Sequence, residues 1–134
     1  MPIELTMVAL ASVLLVVHLI MAAGTRTMSF GLSWAAGPRD TVPGEVPERA
    51  KRLDRAARNM QETFPVFVAL AIGVVVGEVT SVLTALGSVL YVLARVVYLP
   101  AYVFHVQFVR SLLWVAAMLG LVMLGLPLLF GGLL

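Results

Sequence analysis

Arg52, Arg55, Asn59 and Glu62 recur three or four residues apart in a stretch that runs on as RAARNMQETFPVF, residues 55–67, with Arg58 beside them. That spacing puts the four on one face of a helix. A second set has the same period: Tyr91, Arg95, Tyr98 and Tyr102, followed by Arg110 and Ser111. Guanidinium groups clamp carboxylates through paired hydrogen bonds. A carboxylate accepts from an ammonium, and amide and phenol groups both donate and accept. The residue types therefore suit an anionic ligand carrying several carboxylates. An ion pair of Glu62 with Arg95 would explain two of these groups structurally. One carboxylate cannot neutralise Arg55, Arg58, Arg95 and Arg110 together.

The elements that must hold these groups are helices in a membrane. The chain has 134 residues, 61% hydrophobic and 12% charged, about half the charged share of a soluble domain. A soluble protein of this size could not bury so much apolar surface. We expect one integral membrane domain over 1–134, all-α, an up-down-up-down four-helix bundle. Its helices should lie near 3–23, 48–78, 80–105 and 108–131, with a polar loop over 24–47. Spanning the hydrocarbon takes about 20 helical residues; the first, third and fourth apolar runs reach that length. MPIELT has no positive n-region and contains Glu4, which argues against a cleaved leader. Seven of the nine Lys and Arg lie from Arg26 to Arg58. Beside apolar spans this is an orientation signal, not a nucleic-acid surface, and it puts the loop in the cytoplasm. There is no cysteine, so any reacting sulfur must arrive on a substrate. His18 and His105 stand alone, without the spacing of a metal site. Glu4 and Glu78 read as solvated outer ends, and Pro65 and Pro100 as bends in the second and third helices. The glycines near the C-terminus read as points of close helix contact.

Depth links the two polar sets. The apolar run Phe64–Val76 is too short to cross the bilayer. A helix ending near Val79 needs about 20 residues of depth, which brings the boundary back to about Met60. Glu62 then lies within the hydrocarbon slab, with Asn59 and Arg58 at its edge. Reflected through the turn at Val79 and Thr80, the next helix returns Arg95, Tyr98 and Tyr102 to the same level. Intramembrane ionisable groups face one another, water or a ligand, and mark function by default.

The stretch RAARNMQETFP, close to R-A-x-x-N-x-x-E-x-x-P, resembles the signature of the MAPEG family, the membrane-associated proteins in eicosanoid and glutathione metabolism. ARVVYLPAYVFHVQFVRS resembles the segment that joins the family's third and fourth helices. The likeness runs from about residue 48 to the end and is greatest to small bacterial members. It implies a homotrimer in a bacterial inner membrane that binds glutathione as cosubstrate between subunits. By the resemblance, Arg55, Arg58, Asn59, Glu62, Arg95, Tyr98, Tyr102 and Ser111 are glutathione-binding. Arg110, and Arg26 as used in another branch, are the catalytic arginines. Trp114 replaces a tyrosine of some members, and Ala57 a polar residue. A guanidinium beside sulfur in a low dielectric raises the thiolate fraction, and the thiolate would attack a hydrophobic electrophile from the bilayer.

The resemblance thus implies a membrane glutathione transferase or peroxidase. A non-enzymatic lipid-binding or scaffold protein on the same fold is the alternative, because fold does not decide activity. A small four-helix drug transporter would need an acidic residue at mid-depth in the first helix, which this sequence lacks.

Overall fold

The computed structural model of the chain describes residues 1–41, 43–104 and 106–131. His105 lies outside the described residues. The elements are α1 (Ile3–Phe30), α2 (Leu32–Ala36), α3 (Glu48–Val76), α4 (Val82–Val103) and α5 (Gln107–Phe130). All but α2 are long and apolar enough to cross a membrane.

α1 does not stop at Ala23, where the apolar run ends. It continues through Gly24 and Arg26 to Phe30, and α2 then occupies part of the expected loop. The extension is polar but self-satisfied. The hydroxyls of Thr25, Thr27 and Ser29 donate to carbonyls four residues back at 2.8, 2.9 and 2.9 Å. Hydropathy marks where the membrane ends, not where the helix does. Gly31 closes α1 at φ 90°, a left-handed backbone that glycine adopts without steric cost.

α3 has 29 residues and so a length of about 44 Å, more than the ~30 Å hydrocarbon thickness. Its first turns must project from the slab. Pro65 sits inside α3, Pro100 inside α4 and Pro127 inside α5. Each lacks the N–H that would bond one turn back, yet each helix continues through its proline. α4 starts on a capping box: the Ser81 Oγ accepts from the Thr84 N–H at 3.3 Å, and the Thr84 hydroxyl accepts from the Ser81 N–H at 2.8 Å.

Contacts between helix ends give the topology. The Thr84 hydroxyl donates to the Glu4 Oε1 at 2.6 Å, joining the starts of α1 and α4. Leu128 of α5 lies against Gly73 of α3, joining their last turns. At the other end Arg26 of α1 pairs with Asp54 of α3, and Arg52 of α3 donates to the Val103 carbonyl of α4 at 3.5 Å. The long helices therefore run up, down, up and down. Glu4 is not a solvated end, as the sequence suggested. It is 2% exposed, because Thr84 supplies a donor that water would otherwise supply. Glu78 is exposed in the α3–α4 turn, at φ 55°.

The core is built from Met60, Phe67, Ala71 and Val74 of α3, Tyr91 of α4, and Ala117 and Leu124 of α5. α4 and α5 cross closest at Gly87 and Gly120, where a Cβ on Gly120 would lie 2.6 Å from the Gly87 carbonyl oxygen. Outside the core, large apolar side chains such as Val13, Ile20, Leu86 and Leu119 are more than half exposed. In water such a surface would be a liability; in lipid it is the expected exterior.

Candidate functional site

Arg55, Arg58, Asn59 and Glu62 of α3 meet Tyr98 and Tyr102 of α4 and Arg110, from the first turn of α5, around one recess of about 330 Å³. Counting from the α3–α4 turn explains the meeting. Glu62 lies 14 residues before the end of α3 and Arg95 13 residues after the start of α4, about 20 Å of helix in each case. Their neighbours one turn further on share the rim.

Arg95 sits behind the recess, not in it. It is 1% exposed. One terminal nitrogen donates to the Asn59 Oδ1 at 2.6 Å and the other to the Thr63 Oγ1 at 3.0 Å. Its guanidinium stands 5.7 Å from the Tyr91 ring centre and 5.0 Å from that of Tyr98, and its Nε is buried without a hydrogen-bond partner. The ion pair of Glu62 with Arg95 does not form. Arg95 is satisfied instead by neutral oxygens and aromatic faces. This has a consequence at the rim. A guanidinium only donates, so it fixes the Asn59 amide with oxygen inward, leaving the Nδ2 group free to donate to a ligand.

The remaining charges divide clearly. Arg55 reaches the Glu48 Oε1 at 3.3 Å. Arg52 turns from the recess toward the end of α4. Among the described residues Arg58, Arg110 and Glu62 form no ion pair, with each other or elsewhere. Arg110 lies 4.8 Å from the Tyr102 ring centre, and the Tyr98 and Tyr102 rings are 5.7 Å apart. Two cations and one anion thus face the same space unneutralised.

Ser111 is in the neighbourhood but not on the first recess. Its hydroxyl donates to the Gln107 carbonyl at 3.2 Å. With Tyr98, Arg110, Trp114 and Val115 it lines an adjoining recess of about 220 Å³. Tyr98 and Arg110 are the shared wall of the two recesses. Trp114 and Val115 are exposed on the apolar exterior. Arg26 does not join the cluster in this chain. It is paired with Asp54 and lines a separate recess, because α1 carries it to another side of α3.

Sequence reasoning missed Thr63, Tyr91 as its partner, and Asp54. The Thr63 and Tyr91 hydroxyls are 2.8 Å apart, and the Tyr91 ring stacks on Phe67 at 4.2 Å. The signal for Thr63 was its place four residues after Asn59, one turn along the same face. His18 is buried and hydrogen-bonded through Nδ1 to the Leu14 carbonyl at 2.8 Å.

A model of the MAPEG family matches residues 5–130, nearly the whole chain. No curated protein and no solved structure matches it.

Proposed function

Because the chain belongs to the MAPEG family, which includes glutathione transferases and peroxidases, we propose that it is a membrane glutathione transferase or peroxidase acting on hydrophobic electrophiles. The observation that carries the reading is the unneutralised set in the first recess: Arg58 and Arg110 beside Glu62. Glutathione complements it, having two carboxylates, one ammonium and a thiol. Arg58 and Arg55 take the carboxylates, Glu62 accepts from the ammonium, and Asn59 donates to a peptide carbonyl or carboxylate oxygen. Tyr98 and Tyr102 line the chain of the tripeptide.

Arg110 stands at the wall between the two recesses, so it is the group we assign to the sulfur. Its charge stabilises the thiolate. The electrophile reaches the second recess from lipid, past Trp114 and Val115. The thiolate then forms a carbon–sulfur bond as the leaving group departs with its electron pair. With a hydroperoxide it takes the terminal oxygen instead, becoming a sulfenic acid while the alkoxide leaves with the electron pair of the O–O bond and is protonated to the alcohol; a second thiol then displaces water from the sulfenic acid and closes the disulfide. Arg26, held by Asp54 away from this wall, has no part in our assignment. In the homotrimer that family membership suggests, a neighbouring copy would close the recess. The seven cations from Arg26 to Arg58 support a cytoplasmic mouth, and the likeness to small bacterial members supports a bacterial inner membrane.

Isothermal titration of the detergent-solubilised protein with glutathione tests this, alongside conjugation of a chromogenic aryl halide. Arg58→Ala and Glu62→Ala should each weaken binding at least tenfold, the effect of about 1.5–3 kcal/mol for a charge-assisted bond. Absence of both binding and conjugation in the unmodified protein overturns the reading. A lipid-binding or scaffold role is favoured by a different feature, the apolar groove of about 380 Å³ between α1 and α4. Ultraviolet difference absorbance separates the two, because only the enzyme ionises added glutathione.

A further inference from the structure

The recess that holds Arg26 has chemistry of its own. It measures about 390 Å³; Leu19 and Ala22 of α1 form its apolar side, and Arg26, Trp34, Arg39 and Asp54 its polar side. Leu19 belongs to the apolar run of α1, while Arg26 is seven residues further along the same helix, about 10 Å on. The recess therefore straddles the level at which the apolar exterior gives way to polar residues.

Its charges do not cancel. Arg26 donates through Nε, at 2.7 Å, and through one terminal nitrogen to the same oxygen of Asp54. Its other terminal nitrogen makes no hydrogen bond among the described residues. Arg39 has no carboxylate partner among them. It adopts φ 61°, a left-handed backbone that is uncommon for a residue with a Cβ. Two contacts hold it there: its Nε donates to the Ala35 carbonyl at 2.9 Å, and its guanidinium lies 5.5 Å from the Trp34 ring centre. Trp34 is itself fixed, its indole N–H donating to the Thr41 carbonyl at 2.8 Å. Two guanidiniums, one carboxylate and one indole ring line the same recess, at the membrane boundary.

We propose that this recess binds the phosphate of an anionic phospholipid. The free donors of Arg26 and Arg39 would take the phosphate oxygens. Trp34 sits at headgroup level, and the acyl chains run down the exposed face of α1 past Leu19, Ile20 and Val16. A free phosphate ion would gain the cations but leave the Leu19 and Ala22 side empty, so the apolar side selects a lipid. The site is independent of the glutathione recess.

Native mass spectrometry of the full-length protein in detergent tests it, with phosphatidylglycerol and phosphatidylcholine of matched chains. The expected result is one phosphatidylglycerol held per chain in preference to phosphatidylcholine. Arg39→Gln, at an exposed position, should lower that preference about fivefold, the effect of one basic residue near an anionic lipid. The chain has two tryptophans, so in a Trp114→Phe background the emission of Trp34 should shift with phosphatidylglycerol. Equal retention of the two lipids, or an unchanged preference in Arg39→Gln, overturns the proposal. So does a shift of Trp34 emission with inorganic phosphate alone as large as that with the lipid.

Discussion

A guanidinium can only donate hydrogen bonds, and that one constraint separates Arg95 from the arginines around it. Arg58 and Arg110 keep their donors for whatever enters the recess, whereas Arg95 has committed two of its nitrogens to Asn59 and Thr63. Asn59 is thereby a two-sided residue: its oxygen belongs to the core and its nitrogen to the recess. Asn59→Asp should divide the two roles. The carboxylate still accepts from Arg95, now as a buried ion pair, so the thermal midpoint stays within the equivalent of about 1 kcal/mol of wild type. The recess loses a donor and gains a negative charge, so glutathione affinity should fall at least tenfold, about 1.5–3 kcal/mol. Asn59→Ala should lose both, with the midpoint dropping as Arg95 is left without its shortest bond. Calorimetry and a thermal melt on the same three samples read the split. Spacing and depth made the rim residues legible in the sequence, because both follow from 3.6 residues per turn and a rise of 1.5 Å. They could not tell which atoms would be swallowed. That depends on partners such as Thr63 and Tyr91, 28 residues apart, or Arg26 and Asp54, equally far apart, and no local pattern encodes such pairs.

At the scale of the helices, the narrowest point is the crossing of α4 and α5, and there backbone meets backbone. A Cβ on Gly87 would stand 2.8 Å from the Gly120 carbonyl oxygen and 2.7 Å from the Met123 Cβ, neither of which can swing aside. Gly87→Ala should therefore destabilise the bundle by about 1–3 kcal/mol, the usual cost of overpacking, and lower the melting midpoint in detergent. Gly24, inside α1, has nothing within 4 Å of its would-be Cβ. Gly24→Ala should raise the midpoint, since alanine in an open helix interior gains about 0.5–1 kcal/mol over glycine. α5 carries Arg110, so the first substitution should also weaken glutathione binding and the second leave it alone. Three of the spans could be read from apolar runs, and the second only by adding the polar residues before Phe64 that complete its length. The last turns of α1 could not, because Gly24, Thr25, Arg26 and Thr27 carry no apolar signal, and α2, at five residues, is too short to show a helical period. The hydroxyls of Thr25, Thr27 and Ser29 are satisfied inside the helix by bonding back to carbonyls four residues earlier. Gly120 was legible as a point of close helix contact, and it is α4 that it meets.

The whole molecule is electrically polar along its axis. Seven of nine cations precede or open α3, and Arg95 and Arg110 return to the same end of the bundle. At the opposite end stand Glu4, buried against Thr84, and Glu78, exposed. An apolar belt separates the two ends, so only one orientation obeys the excess of Lys and Arg on the cytoplasmic side. The absence of cysteine makes this testable without a cleared background. Glu45 in the long loop and Thr80 in the α3–α4 turn are both exposed, and surface substitutions there should cost no more than about 0.5 kcal/mol. With a membrane-impermeant maleimide on intact cells, Thr80→Cys should label and Glu45→Cys should not; lysis should expose the latter. The opposite pattern would turn the mouth of the recess we propose for glutathione away from the cytoplasm, where that thiol is kept reduced. The Arg58, Arg110 and Glu62 set would then need a ligand of the outer compartment, and the transferase reading would fail even with the recess intact.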